Sequence, residues 1–66
     1  MIGQPKYTEG DHVQFTFDGQ VKTGTIEIVD AYGAFFDESD VSYDILIEEE
    51  NTLYKHIRED RVIKNV

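Results

Sequence analysis

The chain has 66 residues and no cysteine, and its 14 Asp and Glu against 6 Lys and Arg give a formal net charge of −8. That length makes one small domain, which buries only about 60% of the surface its unfolded chain exposes and is expected to be stable by about 3–5 kcal/mol. Without cysteine there are no disulfides and no thiolate chemistry, and no apolar run approaches the roughly 20 residues of a membrane span.

Residues 1–8 read as a flexible N-terminal tail, because Pro5 bars regular strand pairing there. Met1-Ile2-Gly3-Gln4-Pro5-Lys6 lacks the apolar core of a signal peptide, so the expected compartment is the cytoplasm. Residues 9–66 are the single expected domain. Glu9-Gly10-Asp11 is a turn. His12 to Phe17 alternates polar and apolar residues, which places Val13, Phe15 and Phe17 on one face of a strand. Asp18-Gly19 follows, the pair that best closes a two-residue hairpin. Val21 to Val29 reads as a second strand with a bulge or bend at Gly24, and with Ile26 and Ile28 on one face.

Ala31 to Asp40 is a long connection, aromatic at its start and acidic at its end. Val41 to Ile47 alternates again, with Val41, Tyr43, Ile45 and Ile47 in phase. Glu48-Glu49-Glu50-Asn51 reads as a solvated hairpin turn in which Asn51 adopts the left-handed conformation. Thr52 to Ile57 is a fourth strand with Leu53 and Ile57 in phase and Tyr54 and His56 opposite. Arg58-Glu59-Asp60 suits one 3₁₀ turn, and Arg61 to Lys64 a fifth strand. The expected core is Val13, Phe15, Phe17, Val21, Ile26, Ile28, Val41, Tyr43, Ile45, Ile47, Leu53, Ile57 and Val62. Five short strands and a single 3₁₀ turn describe an all-β class and a small, strongly bent barrel.

Charge is sorted along the chain. Between Lys22 and Lys55 there is no Lys or Arg, yet nine Asp or Glu. That distribution disfavours a phosphate backbone and favours a basic partner. The loop and its surroundings supply candidate partner-binding residues: Tyr32, Phe35, Phe36, Asp37, Glu38, Asp40 and Asp44. Aromatic rings would provide contact area and the carboxylates charge. The alternative is that Phe35 and Phe36 fold back as a lid on the core while the acids are solvated. Lys55, Arg58, Arg61 and Lys64 form the one place where a phosphate would bind favourably. Asp37, Glu38, Asp40 and Asp44 lack the spacing of a calcium loop, so no metal site is expected. His12 and His56 fall opposite the expected core, and no Ser or Cys adjoins either. No catalytic residue and no cofactor are expected.

Gly10-Asp11-His12-Val13, Gly24-Thr25-Ile26, Tyr43-Asp44-Ile45 and the run from Lys55 to Val62 together resemble the SH3-like barrels of the Tudor and KOW type. The resemblance covers residues 9 to 64 and implies a five-stranded barrel with a 3₁₀ turn before the last strand. It implies two uses. Tudor-like members bind methylated Lys or Arg in an aromatic cage, for which the nearest residues here are Tyr32, Phe35, Phe36 and Tyr43; the Asp18-Gly19-Gln20 loop carries no aromatic residue. KOW-like members contact nucleic acid or ribosomal and polymerase proteins. The reading that fits the charge is a non-catalytic module for a basic protein or peptide, with nucleic acid and membrane disfavoured. The alternatives are a KOW-like nucleic-acid or ribosome-associated module using the C-terminal basic strip, and a structural homo-oligomer pairing through Tyr54 and Ile63.

Overall fold

The computed structural model describes residues 5–30 and 41–66. The alternation after the first turn forms β1, His12–Phe17, with Val13 and Phe15 fully buried. Asp18 and Gly19 both take positive φ, 51° and 78°. This is the turn whose twist matches the flanking strands, and it pairs Phe17 with Gln20 at the start of β2, Gln20–Asp30. β3 is Ser42–Ile47, β4 is Thr52–Arg58 and β5 is Val62–Asn65. A 3₁₀ turn over Glu48–Glu50 joins β3 to β4 and ends on Asn51 in the left-handed conformation, at φ 52°. A second, over Glu59–Arg61, leads into β5.

The strands make one antiparallel sheet in the order β4-β3-β2-β1-β5. The last strand returns to pair with the first, and β4 and β5 are the edges. The sheet bends over itself, so that one face encloses Val13, Phe15, Ile26, Val41, Tyr43, Ile45, Ile47, Ile57 and Val62. Gly24 is the close approach of the bend. A Cβ there would lie 2.7 Å from Ile45 Cγ2 and 2.7 Å from the Leu46 carbonyl oxygen.

Four residues expected in the core lie outside it, and the register explains each. Val21 pairs with Thr16 on the outer face and is 61% exposed. Between Ile26↔Ile45 and Ile28↔Asp44, β2 has one residue more than β3. This bulge at Glu27 reverses the alternation, as an inserted residue must. Ile28 therefore turns outward, 51% exposed, and Val29, opposite Tyr43, packs on the core in its place. A second bulge lies between Tyr43↔Ile57 and Ile45↔Tyr54, where Lys55 and His56 are inserted opposite Asp44. It turns Tyr54 inward and leaves Leu53 outward, opposite Leu46. Phe17 is half-exposed at the tip of the hairpin and packs on Tyr54.

The end of the expected tail meets the sheet. Tyr7 packs edge-on against Tyr43 with ring centroids 5.9 Å apart, and the backbone N–H of Lys6 donates to Glu59 Oε2 at 3.0 Å. Thr8 and Asp11 close the turn before β1 by reciprocal bonds. Among the described residues no helix is long and apolar enough to cross a membrane.

Candidate functional site

From Thr25 onward β2 pairs with β3, but its first part, from Gln20 to Gly24, pairs with β1 alone among the described residues. Past Leu46 the chain of β3 runs through Ile47 into the acidic 3₁₀ turn with no further pairing to β2 among the described residues. Where the two strands part, a groove of about 620 Å³ opens. The early part of β2 forms one wall. Leu46, Ile47 and the Glu48–Glu50 turn form the other.

Two of the groove's lining residues, Lys22 and Glu50, belong to a charged and aromatic cluster beside it. Lys22 alternates with Gly24 and Ile26 on the inward side of β2, and its ammonium lies 5.5 Å from the centre of the Tyr54 ring. The same ammonium is 3.1 Å from Glu50 Oε2, while the Tyr54 hydroxyl donates to Glu50 Oε1 at 2.5 Å. Tyr54 in turn meets Phe17 and Phe15 edge-to-face, with centroids 4.7 and 5.6 Å away. The Tyr54 hydroxyl, and then Lys22, hold the Glu50 carboxyl below its ordinary pKa. The hydrogen bond to Glu50, and then Tyr54, raise that of the Lys22 ammonium. Both groups are thus held in their charged forms. Glu48 and Glu49 are exposed, and among the described residues Glu50 alone of the three is paired with a cation.

A second polar cluster sits at the other end of β3. Tyr43 is fully buried, and its hydroxyl donates to Glu59 Oε2 at 2.6 Å while accepting the backbone N–H of Tyr7 at 3.4 Å. Burial, and then the bond to Glu59, push the phenol pKa well above its ordinary value. Its ring is enclosed in the core, so Tyr43 is not a wall for an aromatic cage.

Of the expected partner-binding residues, Tyr32, Phe35, Phe36, Asp37, Glu38 and Asp40 lie outside the described residues. Asp44 lies on β3 opposite Ile28, half-buried, and its Oδ1 accepts the backbone N–H of His56 at 3.1 Å. His56 has φ 58°, the left-handed conformation that the second bulge requires. Asp44 therefore caps that bulge. Lys55, Arg58, Arg61 and Lys64 are all exposed, spread over β4, the second 3₁₀ turn and β5. Thr25 Oγ1 and His12 Nδ1 share a hydrogen bond of 2.9 Å. Tyr54, expected outward, is half-buried and turned inward, while Ile63 is exposed. Among the described residues no three His, Cys, Asp or Glu side chains come together as a metal site.

The Lys22–Glu50–Tyr54 cluster and the groove beside it were not expected from the sequence. The spacing of Glu50 and Tyr54, four residues apart across a tight turn, is the one local signal for it. Lys22 joins from a strand 28 positions away. In comparisons with family models, curated proteins and solved structures, the chain matches none.

Proposed function

We propose that this chain is an SH3-like barrel of the Tudor and KOW type, acting as a non-catalytic module that binds a basic protein surface or peptide. Five strands, the bend at Gly24 and the 3₁₀ turn before β5 support the barrel. The observation that carries the partner's sign is the acidic 3₁₀ turn. Glu48, Glu49 and Glu50 stand exposed at the rim of a groove, and Lys22 accompanies only the last of them. This turn lies in the stretch between Lys22 and Lys55 that has nine acids and no Lys or Arg. Negative potential of this kind draws a basic partner and repels phosphate. The loop residues Tyr32, Phe35, Phe36, Asp37, Glu38 and Asp40 belong to the same acidic stretch of the sequence and remain candidates for contact with that partner.

Fluorescence anisotropy with a labelled lysine-rich peptide, its glutamate counterpart and a DNA duplex tests the reading. The lysine peptide should bind, more weakly as salt rises to about 150 mM, where the screening length is about 8 Å. The other two should not bind. Tighter binding of the duplex would replace this reading with contact through Lys55, Arg58, Arg61 and Lys64.

A further inference from the structure

The groove has a wall made of backbone. A two-residue hairpin closes on a pair that exchanges both hydrogen bonds, here Phe17 and Gln20. Counting along β2, Gln20, Lys22 and Gly24 turn their N–H and C=O groups towards β1, and Val21, Thr23 and Thr25 turn theirs away. The same phase accounts for Ile26, which exchanges hydrogen bonds with Gly10 and Asp11 just ahead of β1. Thr25 meets Leu46 on β3. Val21 and Thr23 have no strand opposite them among the described residues, and both line the groove. Each presents one N–H and one C=O. A strand edge of this kind is a template for another extended chain.

The chemistry of the opposite wall selects which chain. Leu46 and Ile47 give it an apolar floor, and the three glutamates give it a negative rim. Resting on the basic-partner reading above, we propose that the groove takes an extended basic peptide segment of a partner protein. The segment adds as a short strand to Val21 and Thr23 and sets Lys or Arg side chains against Glu48 and Glu49. The main-chain bonds supply register and the alternate side chains selectivity, as in strand addition generally. Gly24 makes the slot possible: it lets β3 cross close over β2 at the bend, so that the strands separate beyond it. Lys22 already satisfies Glu50, so the incoming cations face Glu48 and Glu49.

The test uses the whole chain, labelled with ¹⁵N, and a short capped peptide of alternating Lys and Thr. Amide signals of Val21, Thr23 and the Glu48–Glu50 turn should shift on titration, and hydrogen exchange at Val21 and Thr23 should slow at least tenfold at saturation. The same peptide with N-methylated backbone amides should bind at least tenfold more weakly, as should the parent peptide to a Glu48→Lys/Glu49→Lys variant that melts like the parent. If the peptide shifts other signals instead, the groove is overturned while the basic-partner reading stands. Equal binding of the N-methylated peptide overturns strand addition. Equal binding of a Glu-Thr peptide overturns the basic occupant and the basic-partner reading together. Shifts of the same signals with protein concentration alone, and a dimer in sedimentation, would make a second copy the occupant and overturn the proposal.

Discussion

The Tyr43 hydroxyl donates to Glu59 Oε2 at 2.6 Å, and the same oxygen accepts the Lys6 N–H at 3.0 Å. One carboxylate oxygen thus ties the chain ahead of β1, the start of β3 and the turn before β5. Replacing Tyr43 with Phe keeps the packed ring and removes the bond. Stability should fall by about 1.5–3 kcal/mol, the range for a hydrogen bond to a charged group. The phenol's pKa is raised on folding, so its contribution is complete below the unfolded value near 10.0 and is lost as pH rises above it. Urea melts at neutral pH and above pH 10 should therefore show the wild type losing stability on the alkaline side, and Tyr43→Phe losing less.

Phe15 is fully buried and meets Tyr54 edge-to-face. Truncation to Ala should cost about 3–5 kcal/mol. A domain of this length has about that much in total, so the variant should be unfolded by circular dichroism at room temperature. A cooperative melt would show that the core closes around the cavity.

The turn and the pairing of the first hairpin were legible, though not the exposure of Phe17 and Val21 beside the turn. β1 holds strict alternation from His12 to Phe17, and Asp18-Gly19 names its own turn. The left-handed Asn51 and the 3₁₀ turn before β5 were legible for the same reason: each depends on a few adjacent residues. What failed was the phase of β2 and β4. Both bulges fall at residues that advertise nothing, Glu27 in one strand and Lys55 and His56 in the other. A period-two reading carried through them puts Ile28 and Leu53 inside and Tyr54 outside. The groove was illegible because it is a gap between strands, created by the bend at Gly24 and lined by residues whose alternation looks ordinary. Glu48 to Glu50 read as a solvated turn, and only the approach of Lys22 from β2 shows that Glu50 is engaged.

Gly24→Ala tests the bend. The added methyl would meet Ile45 Cγ2 and the Leu46 carbonyl oxygen at 2.7 Å each. The second neighbour is backbone and cannot rotate away. Overpacking of this kind costs about 1–3 kcal/mol, and the strands on either side of the groove should separate further. Thermal denaturation should register the loss. An Ala variant as stable as the parent would mean that β3 does not cross β2 so closely.

Asp44 and His56 decide between a structural and a recognition role for the one expected partner-binding residue that the structure describes. Asp44 Oδ1 accepts the His56 N–H at 3.1 Å, and His56 sits at φ 58°. If the carboxylate is a cap, Asp44→Ala should cost about 1.5–3 kcal/mol, as for other charge-assisted bonds. Asp44→Asn, which keeps an acceptor, should cost less. His56→Gly should restore part of the loss in the Ala background, because glycine takes the left-handed conformation without the roughly 1–2 kcal/mol penalty of an L side chain. A residue held only for a partner would behave differently: Asp44→Ala would leave the melt unchanged, and His56→Gly would rescue nothing. Measuring the three variants by urea denaturation, with the lysine-peptide titration beside it, separates the two. We expect the stability to move and the affinity per folded molecule to stay within about twofold, since one oxygen of Asp44 already belongs to the bulge and a single rim charge contributes little to binding.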